Sequence, residues 1–96
     1  MSSARDRGLV GVTRLGTWTA EENDAYQTAH DLINQMIAAY SARLSRASGP
    51  EAGVLLAEQR AQLEARRMLG VADQESVRRV LAEYPTLISQ LRSDGA

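Results

Sequence analysis

Residues 19–47 read TAEENDAYQTAHDLINQMIAAYSARLSRA, and this stretch decides the class of fold. Thr19-Ala-Glu-Glu22 is a capping-box pattern: the Thr19 hydroxyl accepts from the Glu22 amide while the Glu22 carboxylate reaches back to the Thr19 amide. Glu21, Glu22 and Asp24 also set negative charge on the positive end of the helix dipole. Beyond the cap, Tyr26, Ala29, Ile33, Met36, Ile37, Tyr40, Leu44 and Ala47 recur at three- and four-residue steps. On a helix they fall in one stripe about 120° wide, with Asp24, Asp31, Gln35 and Ala42 opposite. The spacing predicts an amphipathic helix over 19–47, ended by Gly49-Pro50. His30 lies at the edge of the stripe near Tyr26 and Ile33. It reads as a boundary residue, because the chain has no Cys and no serine-triad arrangement to make a general base of it.

Two further helices follow. Ser48-Gly-Pro-Glu51 repeats the Ser-to-Glu spacing of a capping box, with Pro in the first turn where its missing N–H costs nothing. The pattern predicts a helix over 51–69, with Gly70 at the C′ position. This helix is apolar on two sides: Ala52, Leu56 and Leu63 form one narrow stripe, and Val54, Ala57, Ala61, Ala65 and Met68 form another. Such a helix either lies flat between two neighbours or keeps one side for another chain. The small Ala side would let the backbone of a second copy approach closely, which leaves a homo-oligomer open. Asp73 is a good N-cap for a third helix. Val77, Val80, Leu81, Tyr84, Ile88 and Leu91 stay in phase across Pro85, which predicts one helix over 74–92 kinked at the proline. Glu75 and Arg79 sit at i,i+4. Three antiparallel helices with short connections make an all-α bundle. Its expected core is Tyr26, Ile33, Met36, Ile37, Tyr40, Leu44, Leu56, Leu63, Val77, Val80, Leu81, Tyr84, Ile88 and Leu91.

Composition agrees with this class. The chain has 96 residues and a net charge of −1, enough for one core and not two. Fifteen Ala and eleven Leu stand against three Ile and no Phe, so helix formers dominate. With no Cys and one His, neither a disulfide scaffold nor a thiolate or multi-histidine metal site is expected. No apolar run approaches a membrane span, so a soluble, cytoplasmic protein is expected. Residues 1–18 read as an N-terminal arm ahead of the helical domain at 19–96. The arm carries Arg5, Arg7 and Arg14 against Asp6, and an apolar patch at Leu9, Val10, Val12 and Leu15. It reads either as a frayed terminus or as a segment that orders on a partner. Trp18, the single Trp, sits where arm meets helix. There it would serve as an interface anchor or as a lid on the bundle's end.

Little in the chain suits catalysis. There is no G-x-G-x-x-G and no Walker loop, and capping explains the carboxylates at 21, 22 and 24 without a reaction. No enzyme activity, cofactor or metal is therefore expected. A second reading is DNA binding: residues 66–81, RRMLGVADQESVRRVL, resemble the helix-turn-helix of bacterial repressors, with Arg66, Arg67, Arg78 and Arg79 as candidate contacts. The segment departs twice from that pattern. The turn is one residue longer than usual, and Arg66 stands where a small residue is wanted. A third reading is a protein-binding module, because the arm's aliphatics, Trp18 and the Ala side of the second helix have no obvious home inside.

The opening WTAEENDAY (18–26) and the ending VRRVLAEYPTLISQLR (77–92) resemble small actinobacterial proteins paired with zeta-type toxin kinases, the epsilon-type antitoxins. The likeness is one of layout, and no functional residue carries over with it. It implies inhibition by binding, a helix of the antitoxin blocking the toxin's nucleotide site. Independently of it, Glu21, Glu22 and Asp24 would oppose a phosphate site rich in Lys and Arg. The expected partner-binding residues are thus Trp18, Glu21, Glu22, Asp24, Leu9 and Val10. A helical assembly subunit fits the same residues.

Overall fold

The computed structural model describes residues 19–94. Three helices follow one another: α1 (Ala20–Leu44), α2 (Gly49–Met68) and α3 (Gln74–Asp94). Among the described residues there is no strand, and the fold is the expected all-α three-helix bundle.

The first capping box forms as read. The Thr19 hydroxyl accepts from the Glu22 N–H at 3.0 Å, and the Thr19 N–H donates to Glu22 Oε1 at 2.9 Å. At its other end α1 stops at Leu44, three residues earlier than the periodicity predicts. The Ser45 hydroxyl donates to the Ala42 carbonyl at 2.7 Å and satisfies one of the helix's last acceptors. The chain then turns through Gly49, whose φ is +62°. That left-handed conformation is what glycine supplies here; the space around a Cβ is open, so the backbone angle alone calls for glycine. Ala47 lies outside the helix yet still packs on the core.

The second capping box does not form. Ser48 makes no side-chain cap bond, and α2 begins at Gly49, two residues earlier than expected. Glu51 instead turns back across the corner to Arg43, with Oε2 and Nη2 3.2 Å apart. At the other end Leu69 is the C-cap, in extended backbone, and its N–H donates to the Ala65 carbonyl at 3.0 Å. Gly70 does not take the left-handed conformation expected of a C′ glycine. Asp73 does cap α3: its Oδ1 accepts from the Ser76 N–H at 3.2 Å, and bonds from Ser76 hold its carboxyl below the usual aspartate range. From there α3 runs as one helix through Pro85 to Asp94, two residues past the expected end. Pro85 is exposed, so the position that lacks an N–H faces water.

Helix α1 packs against both α2 and α3, whereas no Cα of α2 lies within 8 Å of one in α3. One core cluster joins Ala29 and Ile33 to Val77 and Val80, with Leu69 beside it. The other joins Met36 and Tyr40 to Leu55 and Ile88, flanked by Leu44 and Leu91. The first half of α1 thus meets the first half of α3, and the second half meets the second, so these two helices run parallel. Helix α2 runs antiparallel to both.

Most of the expected core is in place. Ile33, Met36, Tyr40, Val77, Val80 and Ile88 are buried, and Tyr26, Ile37, Leu44, Leu81, Tyr84 and Leu91 are half-buried around them. Leu56 and Leu63 are not core residues: they stand 39% and 41% exposed, while Leu55, at 5%, is the side chain that α2 buries. Ala39 is a further buried position outside the expected set. Nor does α2 lie flat between two neighbours. That central place belongs to α1.

Candidate functional site

The rotation of α2 has an identifiable cause. Ala52, Leu55, Gln59, Gln62, Arg66 and Leu69 recur at three- and four-residue steps and form its inner side, and half of them are polar. Each polar member finds a partner on a neighbouring helix. Gln59 Nε2 donates to the Ile37 carbonyl at 3.0 Å and to Ser41 Oγ at 2.8 Å. Arg66 Nη1 donates to Asn34 Oδ1 at 2.6 Å. The Tyr84 hydroxyl donates to Gln62 Oε1 at 2.6 Å and links α3 to α2 although their backbones stay apart. Burial raises the Tyr84 phenol above its ordinary pKa. It does the same for Tyr40, where the Glu58 carboxylate adds to the effect. The sequence carried a signal for this arrangement, namely the heptad-like spacing of 52, 55, 59, 62, 66 and 69. Hydrophobicity alone hides it.

With polar groups inside, apolar groups remain outside. Val54 is 58% and Met68 66% exposed, and with exposed Ala57 and Ala61 and half-buried Ala65, which also lines the cleft toward α3, they form a stripe about 80° wide along α2. Leu56 and Leu63 lie on the opposite flank. Below the stripe, where α2 and α3 part, an open cleft of about 210 Å³ reaches down to Ile33 and Val80. Met68 and Leu69 form one wall and Tyr84 the other, with Asp73 and Arg79 also lining it. Asp73 is already engaged as the cap of α3, and Arg79 stands 3.9 Å from Glu75.

The acidic opening of α1 divides into two kinds of carboxylate. Glu22 is half-buried and tied into the capping box, whereas Glu21 and Asp24 are exposed. Trp18, Leu9, Val10 and the rest of the arm lie outside the described residues. His30 is half-buried, 3.5 Å from Asn34 Nδ2 and stacked at a tilt on Tyr26 with ring centroids 6.0 Å apart, which is the boundary role expected of it.

Of the four arginines of the helix-turn-helix reading, Arg67, Arg78 and Arg79 are exposed and Arg66 is half-buried. Arg66 is held against α1 by Asn34, and Arg67 pairs with Glu64 at 2.5 Å. Arg79 lines the α2–α3 cleft while staying exposed, and Arg78 is exposed as well. Helices α2 and α3 run in opposite directions, and no Cα of one lies within 8 Å of the other. Among the described residues no group of three His, Asp or Glu side chains could hold a metal ion, and no helix is long and apolar enough to cross a membrane. No family model, curated protein or solved structure matches the chain.

Proposed function

We propose that this chain is a non-enzymatic protein-binding module that neutralises or scaffolds a partner protein. The observation that carries the proposal is the inversion of α2. Half of the side that α2 turns to its neighbours is polar, with Leu55 as its one buried side chain, and it leaves Val54 and Met68 on one flank and Leu56 and Leu63 on the other in water. Burying apolar side chains releases about 25 cal/mol for each Å² removed from water. A helix that turns four of them outward holds that driving force for another molecule. Isolated exposed aliphatics are ordinary, but two aligned sets on one helix are the pattern of a contact surface.

By its resemblance to epsilon-type antitoxins, the partner is a zeta-type toxin kinase of a bacterial cell, bound in the cytoplasm and blocked at its nucleotide site. Glu21 and Asp24, free of the capping box, supply charge toward a basic phosphate site, and Trp18, Leu9 and Val10 are the expected apolar anchors. The decisive experiment is co-expression with a zeta-type kinase, reading growth rescue and co-purification. Glu21→Arg with Asp24→Arg is expected to weaken the complex at least tenfold while the bundle stays folded: neither residue takes part in the cap, and opposing the helix dipole costs about 0.3–1 kcal/mol for each. Absence of rescue with every zeta-type kinase tried removes the antitoxin identity. Purification from the native host with no protein bound removes the binding module itself.

A further inference from the structure

We infer that the stripe of Val54, Ala57, Ala61, Ala65 and Met68 on α2 is covered by a second copy of this chain, two α2 helices pairing antiparallel about Ala61. The inference rests on the binding-module reading only in treating the outward side of α2 as a partner surface, and it names the partner for one flank.

Self-complementarity is the first ground. The stripe is symmetric in sequence about its midpoint: Val54 and Met68 stand seven residues either side of Ala61, and Ala57 and Ala65 stand four either side. A two-fold axis at Ala61 therefore sets Val54 against the partner's Met68, Ala57 against the partner's Ala65, and Ala61 against its own counterpart. Such an isologous contact uses one patch twice and closes on itself. The two large side chains lie about 21 Å apart along the helix, and alanines alone fill the centre. Close backbone approach in the middle, with a large side chain locking each end, is the shape that an identical antiparallel helix fills.

Charge is the second ground. In an antiparallel pair, residues on one flank of a helix meet the same flank of its partner. Arg60 and Glu64 lie on the same flank of the stripe, and the axis at Ala61 brings Glu64 of one copy to within about 3 Å, measured along the helix, of the level of the partner's Arg60. Two opposite-charge pairs result, one at each side of the axis. Among the described residues no carboxylate pairs with Arg60, and Glu64 is held only by Arg67 on its own surface. On the other flank Glu58 comes to the level of the partner's uncharged Gln62 and Ala65; the like charges that do meet are the two Arg60 side chains, about 3 Å apart along the helix at the axis, each with a Glu64 carboxylate of the opposite copy equally near. One helix pair is a small contact, which places the dimer in reversible exchange with monomer at micromolar concentration.

The chain contains no cysteine, so Ala61→Cys introduces its single thiol, and at the axis the two sulfurs fall within disulfide reach. Under mild oxidation the full-length Ala61→Cys chain is expected to cross-link at least tenfold faster than Gln35→Cys, whose thiol would sit on the exposed side of α1. In sedimentation the native chain is expected to pass from monomer to dimer between about 1 and 300 µM, the range of a small interface. Glu64→Arg should raise the dissociation constant about tenfold, and Glu64→Arg with Arg60→Glu should restore it. A chain that stays monomeric throughout, an Ala61→Cys thiol no quicker to cross-link than the control, or a charge swap that fails to rescue overturns the dimer. A monomeric chain whose Cys at 61 is protected from small thiol reagents overturns it too, because the stripe is then covered from within. None of these results touches the capture of a separate protein.

Discussion

Replacing Leu55 with Ala tests the orientation of α2 more directly than any other substitution. Leu55 is 5% exposed and lies in the cluster of Met36, Tyr40 and Ile88. It is the one side chain α2 buries fully. Removing three of its carbons forfeits about 0.8 kcal/mol each in transfer free energy, roughly 2.4 kcal/mol. The space left between three helices adds a cavity term, which brings the expected loss to about 3 kcal/mol, within the measured range for buried leucines. Leu56 and Leu63 are about two-fifths exposed and open to water on one side. Truncating either forfeits a little over half of the transfer term and leaves no enclosed cavity, so about 1–1.5 kcal/mol is expected for each.

Urea unfolding followed at 222 nm reads the difference. With a slope near 1 kcal/mol/M for a domain of this size, Leu55→Ala lowers the midpoint by about 3 M, and Leu56→Ala or Leu63→Ala by about 1 M. A small domain holds only about 5 kcal/mol in total, so Leu55→Ala leaves the fold marginal and the measurement belongs at low temperature. The refuting result is the reverse order. If Leu56→Ala or Leu63→Ala costs as much as Leu55→Ala, then α2 is turned the other way, its polar residues do not face α1, and the outward stripe with everything built on it is withdrawn.

Other substitutions probe separate links. Gly53→Ala is expected to stabilise the chain by about 0.5–1 kcal/mol, because Gly53 is mid-helix, exposed and has open space where a Cβ would stand; Gly49→Ala should cost about 1–2 kcal/mol through its positive φ alone, and both are read as shifts in melting midpoint. Tyr84→Phe should cost about 1 kcal/mol by leaving Gln62 without its hydrogen-bond partner, and adding Gln62→Leu should recover part of that loss in a double-mutant cycle. The Asp73 carboxyl is held below its unfolded value, so its contribution is present above the ordinary aspartate pKa and lost as pH falls through the depressed folded value. Asp73→Asn keeps a capping side chain without a proton to bind, and should flatten the acid limb of stability against pH.

The elements that are legible in the sequence share one property: burial and hydrophobicity point the same way. In α1 and α3 the apolar stripe is the buried stripe, so the periodicity places Ile33, Met36, Tyr40, Val77, Val80 and Ile88 without knowledge of the fold. The caps at Thr19 and Asp73 are equally legible, because they depend on neighbours a few residues away. The corner at 45–50 is less so. Ser48 and Glu51 have the spacing of a cap, but Arg43 across the corner offers Glu51 a charge-assisted bond that a backbone amide does not match.

Helix α2 is where hydrophobicity and burial part, and that same parting leads from fold to function. A half-buried polar side chain is stable there only with a partner, and Gln59, Gln62 and Arg66 each find one outside α2: the Ile37 carbonyl and Ser41 on α1, Tyr84 on α3, and Asn34 on α1. Those partners belong to other helices, so no window along α2 could reveal them. Two leucines with a helical repeat, Leu56 and Leu63, draw the eye to the wrong side. The polar bonds fix the rotation of α2 about its own axis more sharply than apolar contacts would, since a rotation of one residue breaks all of them at once while aliphatic packing tolerates repacking. The Val54–Met68 stripe is thereby held outward by geometry and not by chance composition. Replacing those amides with leucines should let α2 turn and hide its stripe, at the cost of the surface through which the chain meets its partners.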